Sequence, residues 1–244
     1  VSEQIERGKK LVMEKNPSGK YLAYFQNHTN TYGNLLELEK KFLEAADCPG
    51  VAGIVIATRP DCLSDEAVSV IERLSHITFV MIELGFQTSC RKTAEYINRC
   101  YENEELDMAV GRLKGKCPKI HVVCHVIFGL PGETQEDMLR TVQYALNAGA
   151  DGIKIALLHV LEGTVLAEDY RKGLFRCMEM DEYFRMLGYV VERIPENIVI
   201  HRLTGDGAKK ILIAPLWTGN KKRVLNSMLK YFRENGIRQG RALK

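Results

Sequence analysis

Short apolar runs and amphipathic helical stretches take turns along this chain, with little between them. Ser2 to Glu14 reads as a helix, Lys20 to Gln26 as a strand, and Leu35 to Ala46 as a helix with Leu35, Leu38, Phe42 and Ala46 on one face. Val51 to Thr58 is a strand that stops at Arg59-Pro60-Asp61, and Ser64 caps a helix to Leu74 with Ala67, Val68, Ile71 and Leu74 inward. Thr78 to Gly85 is the next strand. Helices follow to about Asn98 and over Glu104 to Leu113. The strand Lys119 to Phe128 ends at the turn Gly129-Leu-Pro-Gly132, after which Thr134 opens a helix to Asn147 whose first turn holds Gln135, Glu136 and Asp137. Gly152 to His159 is a strand, Asp181 to Arg193 a helix, Asn197 to Leu203 a further strand, and Lys222 to Asn235 a closing helix stopped by Gly236.

Strands separated by single helices, without hairpin signals, call for right-handed crossovers and a parallel sheet. Their near-continuous apolar character suits strands covered on both faces. A closed eight-stranded barrel usually takes about 250 residues, and the chain supplies too few strands for one. The expected fold is therefore α/β, an open or partial TIM-type barrel of parallel strands with outer helices. It forms one domain over 1–244, with core strands and helices over about 19–160 and a helical extension over 161–244.

In such a sheet ligands bind outside the carboxyl ends of the strands. Those ends carry Gln26, Asn27 and His28; Thr58, Arg59 and Asp61; Glu83, Gln87 and Thr88; His125 and Gly129; His159 and Glu162; His201 and Arg202. Alternation puts His121, Val123, His125 and Ile127 on one face of their strand, and places Lys154 mid-strand beside Ala156 and Leu158, where Glu83 is a candidate partner. Imidazoles at 125, 159 and 201 with Asp61 or Glu83 offer a metal-site reading, although no H-x-H spacing occurs. Cys62, Cys90 and Cys124 are weaker candidates as nucleophiles, and Cys124, mid-strand, fits a small buried apolar role better. Gly129-Leu-Pro-Gly132 lacks the Gly-Lys-Ser/Thr ending of a P-loop.

Charge and composition narrow the classes. With 34 basic and 31 acidic residues the net charge of +3 does not call for nucleic acid, and Lys209-Lys210 with Lys221-Lys222-Arg223 reads as a solvated face. No apolar run is long enough for a membrane span and no signal-peptide pattern is visible, so a soluble, cytoplasmic protein is expected. Seven scattered cysteines read as reduced thiols rather than a disulfide framework.

Taken together, Val126-Ile-Phe-Gly-Leu-Pro-Gly-Glu-Thr134, Ala57-Thr-Arg-Pro-Asp61, Glu83-Leu-Gly-Phe-Gln-Thr88 and Ile97-Asn-Arg99 resemble, in order and spacing, the motifs of radical S-adenosylmethionine (SAM) enzymes. The likeness is to the branch with oxygen-independent coproporphyrinogen oxidase and the Elongator catalytic subunit, and within it to the YhcC-like bacterial group, from Lys20 through His159 and on to Ala214-Pro-Leu-Trp217. By motif order Lys20–Gln26 matches the family's second strand, so the first strand and the CxxxCxxC loop after it are expected to lie outside this chain, which reads as a truncated piece starting at Val1. The thiolate triplet that binds a 4Fe–4S cluster is therefore expected to be absent, leaving this piece inactive.

The resemblance implies that the full-length protein cleaves SAM reductively with a 4Fe–4S cluster and generates a 5′-deoxyadenosyl radical. An electron donor such as flavodoxin or ferredoxin would serve it, and the substrate would be a small molecule or tRNA. Gln87, Arg99 and His125 match positions that touch the SAM ribose or carboxylate, Ile127 the adenine-packing position, and Thr58 and Arg59 lie in a cofactor-binding stretch. Gln26 stands where relatives bind the SAM amino group with Gly-Gly-Glu, a stretch absent here, and Ala57 replaces a glutamate. A sheet edge left by the missing strand would invite dimerisation. The alternatives are a catalytically silent α/β module binding a nucleoside or tRNA, and a metal-dependent barrel hydrolase.

Overall fold

The apolar runs become strands and the amphipathic stretches become the helices that connect them. The computed structural model describes residues 1–14, 19–205, 207 and 209–243. In chain order the elements are α1 (Ser2–Val12), β1 (Tyr21–Phe25), α2 (Leu35–Ala46), β2 (Val51–Thr58), α3 (Asp65–Ser75), β3 (Phe79–Gln87), α4 (Arg91–Tyr96), α5 (Glu104–Lys116), β4 (His121–Phe128), α6 (Gln135–Asn147) and β5 (Gly152–Leu157). They continue with β6 (Val160–Leu161), α7 (Val165–Arg171), α8 (Met180–Val191), β7 (Val199–Arg202), β8 (Leu212–Ala214) and α9 (Lys221–Glu234). Among the described residues no helix is long and apolar enough to cross a membrane.

One sheet has the strand order β1-β2-β3-β4-β5-β7. The pairs β1–β2, β2–β3 and β5–β7 are parallel, as single-helix crossovers require. Local chemistry fixes where the helices start. The Asn34 side chain accepts from the amides of Leu36 and Glu37, and the Ser64 hydroxyl accepts from the amide of Ala67. Thr134 and Asp137 cap α6 reciprocally: the Thr134 amide donates to Asp137 at 2.8 Å and the Asp137 amide donates to Thr134 at 3.3 Å.

Contacts divide the chain into two compact units. The first comprises 1–86, 101–124 and 148–150. On one face of its strands Val55, Met81 and Val123 form a dry cluster, and Val55 and Met81 are register partners. The opposite faces bury Ile54, Ile56, Ile82, Leu84 and Val122 completely. Gly53 permits the close pairing at the start of β2: a Cβ there would lie 2.7 Å from the carbonyl oxygen of Phe79.

The second unit comprises 87–100, 125–147 and 151–244. Its most polar buried feature ties the end of β3 to the turn after β4. Thr88 is fully buried, its hydroxyl donates to Glu133, and the Cys90 amide donates back to that hydroxyl at 3.0 Å. The Ser89 amide donates to the Thr141 hydroxyl, which in turn donates to the Asp137 carbonyl at 3.0 Å. Burial raises the Glu133 carboxyl above its ordinary value, against the pull of hydrogen bonds from Thr88 and Thr93. Its second carboxylate oxygen is buried and, among the described residues, has no hydrogen-bond partner.

Three features depart from the sequence pattern. β3 runs past Gly85 to Gln87, because Phe86 is wholly buried and carries the strand onward. β6 and β8 pair antiparallel, against the expectation of an all-parallel arrangement. Strands of two and three residues are too short to leave an alternation in the sequence. The seven-residue helix α7, capped by Thr164, spans too few turns to show a helical period.

Two outcomes follow for stability. Gly53→Ala should destabilise the protein by about 1–3 kcal/mol in urea unfolding, because the neighbouring atom is backbone and must move. For Glu133 the folded pKa lies above the ordinary 4.5. Its contribution to stability is therefore full below that value and is lost as pH rises through the folded pKa. Glu133→Gln, which keeps an acceptor but cannot ionise, should raise the melting temperature relative to wild type at pH 8, with the gap closing toward pH 4.5. A gap that stays constant with pH would contradict this.

Candidate functional site

A strand covered on one face and open on the other divides its residues by parity. In β4, Val122, Cys124, Val126 and Phe128 are fully buried, while His125 and Ile127, two residues apart, are only partly so. β5 repeats the division: Ile153, Ile155 and Leu157 are buried, whereas Lys154 and Ala156 are partly open. The two strands are neighbours, and the Leu158 amide donates to the Phe128 carbonyl at 2.9 Å where they end. His125 and Ile127 thus place an imidazole and an aliphatic surface together on a half-open face. Gly129, at φ +80°, turns the chain away at the end of β4.

The segment 87–100 is backbone under strain. Gln87 (φ 70°), Asn98 (φ 53°) and Cys100 (φ 63°) are all left-handed without being glycine. Each such residue costs roughly 1–3 kcal/mol, and such strain gathers at ligand clamps. Arg99 sits between two of them, is 6% exposed, and donates from Nη1 to the Thr88 carbonyl at 2.6 Å. The guanidinium and Gln87 are therefore held to one turn by Thr88, the residue that Glu133 also engages. The sequence pointed to Gln87 and Arg99 but not to the Thr88–Glu133–Thr141 network beneath them. A buried threonine followed by serine at a strand end was the available signal.

At the carboxyl ends of β1 and β2 the donors are largely committed inside the protein. The Thr58 hydroxyl lies 2.5 Å from that of Thr31, which donates to the Cys62 carbonyl at 2.6 Å. Arg59 forms a fork on Asp61, with bonds of 2.9 and 2.7 Å, and its guanidinium stacks 5.2 Å from the Tyr101 ring centroid. The Asp61 carboxylate holds Arg59 above its ordinary pKa. Gln26 is exposed just beyond β1. Asn30, which sequence reasoning passed over, donates to the carbonyls of Phe25 and Ala57, both at 2.9 Å, and so ties the two strand ends together. Glu83, 5% exposed, receives the phenolic hydroxyl of Tyr24.

The remaining candidates are dispersed. His201 is exposed and lies over Gly152 at the start of β5, where an added Cβ would be 2.7 Å from its Nε2. His159 packs against Gly207. Among the described residues no group of three or more His, Cys, Asp or Glu side chains is placed to hold a metal ion. The seven cysteines are all free, and none of them belongs to such a group. Burial raises the thiol pKa of Cys62 and Cys117, and lifts that of Cys177 to about 11, which disfavours the reactive thiolate.

Comparison with known proteins bears on this geometry. Residues 2–145 match the model of the Radical SAM superfamily, and residues 150–234 match that of the Radical_SAM C-terminal domain. The chain is 38% identical over 233 residues to YtqA of Bacillus subtilis, covering 96% of this chain and 72% of that protein. It is 31% identical over 249 residues to YhcC of Escherichia coli, covering 100% of this chain and 77% of that protein. The solved structure of Elp3 from Methanocaldococcus infernus superposes with a TM-score of 0.80 at 20% identity, over 98% of this chain and 59% of that one. That likeness shows the fold, an α/β partial barrel. From its family match and its relatives, the chain belongs to the radical SAM superfamily.

Proposed function

We propose that this chain is the SAM-binding core of a radical SAM enzyme, and that His125 and Ile127 on β4 form the adenosine side of the site. The observation carrying this reading is the half-open face of β4, where an imidazole and an aliphatic side chain stand together above a dry opposite face. An adenosine needs that combination: apolar surface for the base and a polar ring nitrogen for hydroxyls. Gln87 and Arg99, delivered by the strained turn, supply an amide and a guanidinium for the ribose and the methionine carboxylate. Thr58 and Arg59 are engaged with Thr31 and Asp61.

When bound beside a reduced 4Fe–4S cluster, SAM is the source of a 5′-deoxyadenosyl radical that takes hydrogen from a substrate. The seven thiols of this chain do not supply that cluster's ligands, so the role of these residues is to bind, orient and shield.

Calorimetric titration of the chain with SAM tests the reading. Wild type should bind saturably. His125→Ala should weaken binding by about 2–10-fold, the worth of one hydrogen bond. Ile127→Asp should weaken it further by placing a charge against the base. Gln87→Gly should leave the melting temperature equal or higher, since glycine tolerates the left-handed backbone, while lowering SAM affinity. Binding unchanged in all three variants would overturn the assignment.

A further inference from the structure

The near balance of charge over the whole chain conceals an uneven distribution. Residues 209–244 hold ten of the 34 basic residues and, in Glu234, one of the 31 acidic ones, which leaves 24 basic against 30 acidic residues for the rest. Five of the ten belong to α9. Packing fixes which way that helix turns them. Val224 and Met228 are buried, and Tyr231, one turn further on, lies 6.1 Å from the Phe184 ring of α8. Spaced by four and three residues, these three share the inward face. The opposite face therefore carries Lys222, Asn226 and Arg233, with Arg223 and Lys230 beside them, and all five residues are exposed.

Two observations set this row apart from an ordinary solvated face. The first turn of α9 holds Lys221, Lys222 and Arg223 and no acid, whereas α3, α5, α6 and α8 each open on at least two acidic residues. Cations at that end oppose the helix dipole, so they do not serve the helix itself. Surface arginines elsewhere are paired within the fold: Arg59 with Asp61, Arg73 with Glu39, Arg176 with Glu182. Among the described residues Lys222, Arg223 and Arg233 have no ion-pair partner, and Lys230 meets Glu234 at 3.8 Å. Such a row suits a polyanion from outside. From Lys222 to Arg233 the helix rises roughly 16 Å. That is long enough to meet several phosphates of one strand, which recur about every 3.4 Å along a duplex axis. An anionic bilayer fits less well. A helix lying on lipid sinks an apolar face into it, and α9 has committed its own to the core, with Leu229 left on the outer side. Asn226, amid the cations, offers an amide that can donate to and accept from the 2′-hydroxyl of ribose.

We infer that the outer face of α9 is a docking surface for RNA, holding its phosphate backbone through Lys222, Arg223, Lys230 and Arg233 and its ribose through Asn226. Docking itself is independent of SAM. That the docked RNA carries the group acted upon rests on the SAM-site reading.

The test titrates the whole chain into a fluorescein-labelled RNA hairpin at several salt concentrations and follows anisotropy. A DNA hairpin of the same sequence, poly-glutamate and vesicles of anionic lipid serve as comparison arms. Saturable RNA binding is expected, weakening as salt rises because each neutralised phosphate releases counterions. The triple variant Lys222→Glu, Arg223→Glu, Arg233→Glu should weaken RNA binding by about tenfold or more and flatten its salt dependence. A control triple variant, Lys10→Glu, Lys40→Glu, Lys41→Glu, makes the same change of net charge at exposed positions of α1 and α2. It should bind RNA within about twofold of wild type. Asn226→Ala should narrow the preference for RNA over DNA. Acids in the first turn suit the helix dipole, so the α9 triple variant should melt no lower than wild type. Replacing the same three residues with Gln repeats the loss without added negative charge. No saturable RNA binding, wild-type affinity in the α9 variants, or an equal loss in the control would each overturn the inference. So would equal affinity for DNA, poly-glutamate or the vesicles. SAM affinity should be unchanged in the α9 variants, and failure of SAM to bind wild type while RNA binding persists counts against the SAM-site reading alone.

Discussion

Parallel strands in this fold must dry one face under their crossover helices, and that requirement decides which residues are left for chemistry. Once Val122, Cys124, Val126 and Phe128 are committed to the dry face of β4, parity leaves His125 and Ile127 on the other. The same rule on β5 commits Ile153, Ile155 and Leu157 and releases Lys154 and Ala156. A one-residue slip in either strand would exchange the two sets, so the hydrophobic face fixes the polar one. The bulge in β7 is the local exception, and it adds Arg202 to the open face beside Lys154.

Energy spent on the ends of the strands complements this economy in their middles. Left-handed backbone at Gln87, Asn98 and Cys100 persists because the turn is over-determined: Arg99 binds the Thr88 carbonyl, Thr88 binds Glu133, and Thr141 binds Ser89. Glu133, with its carboxyl pKa raised by burial, belongs to the same network. Apart from the second Glu133 oxygen, the hydrogen bonds named here are made, and they rigidify what the network encloses. The result is a fixed presentation of an amide and a guanidinium next to a strand end.

Much of this could be read from the chain. The bounds of α2 and β2 match the apolar pattern residue for residue, since α2 is long and strongly periodic and β2 is a nearly continuous apolar run bounded by polar and turn residues. The Thr134 start of α6 was readable because acidic first-turn residues and a hydroxyl cap announce it. Elements of two to seven residues, β6, β8 and α7, left no period to detect. Side-chain commitments were hidden for a different reason. The fork of Arg59 on Asp61 and the Thr58–Thr31 contact depend on rotamers and on residues 2 and 27 positions away, which spacing alone does not set.

The central claim is the proposal that this core serves SAM cleavage, with His125 and Ile127 on its adenosine side. The direct measurement is anaerobic reconstitution of the complete gene product with iron and sulfide, followed by assay of 5′-deoxyadenosine with a reductant and SAM. The account predicts 5′-deoxyadenosine from wild type and markedly less from Ile127→Asp at equal cluster content. A cluster-loaded protein that forms none, or an Ile127→Asp variant that forms as much as wild type, would contradict it.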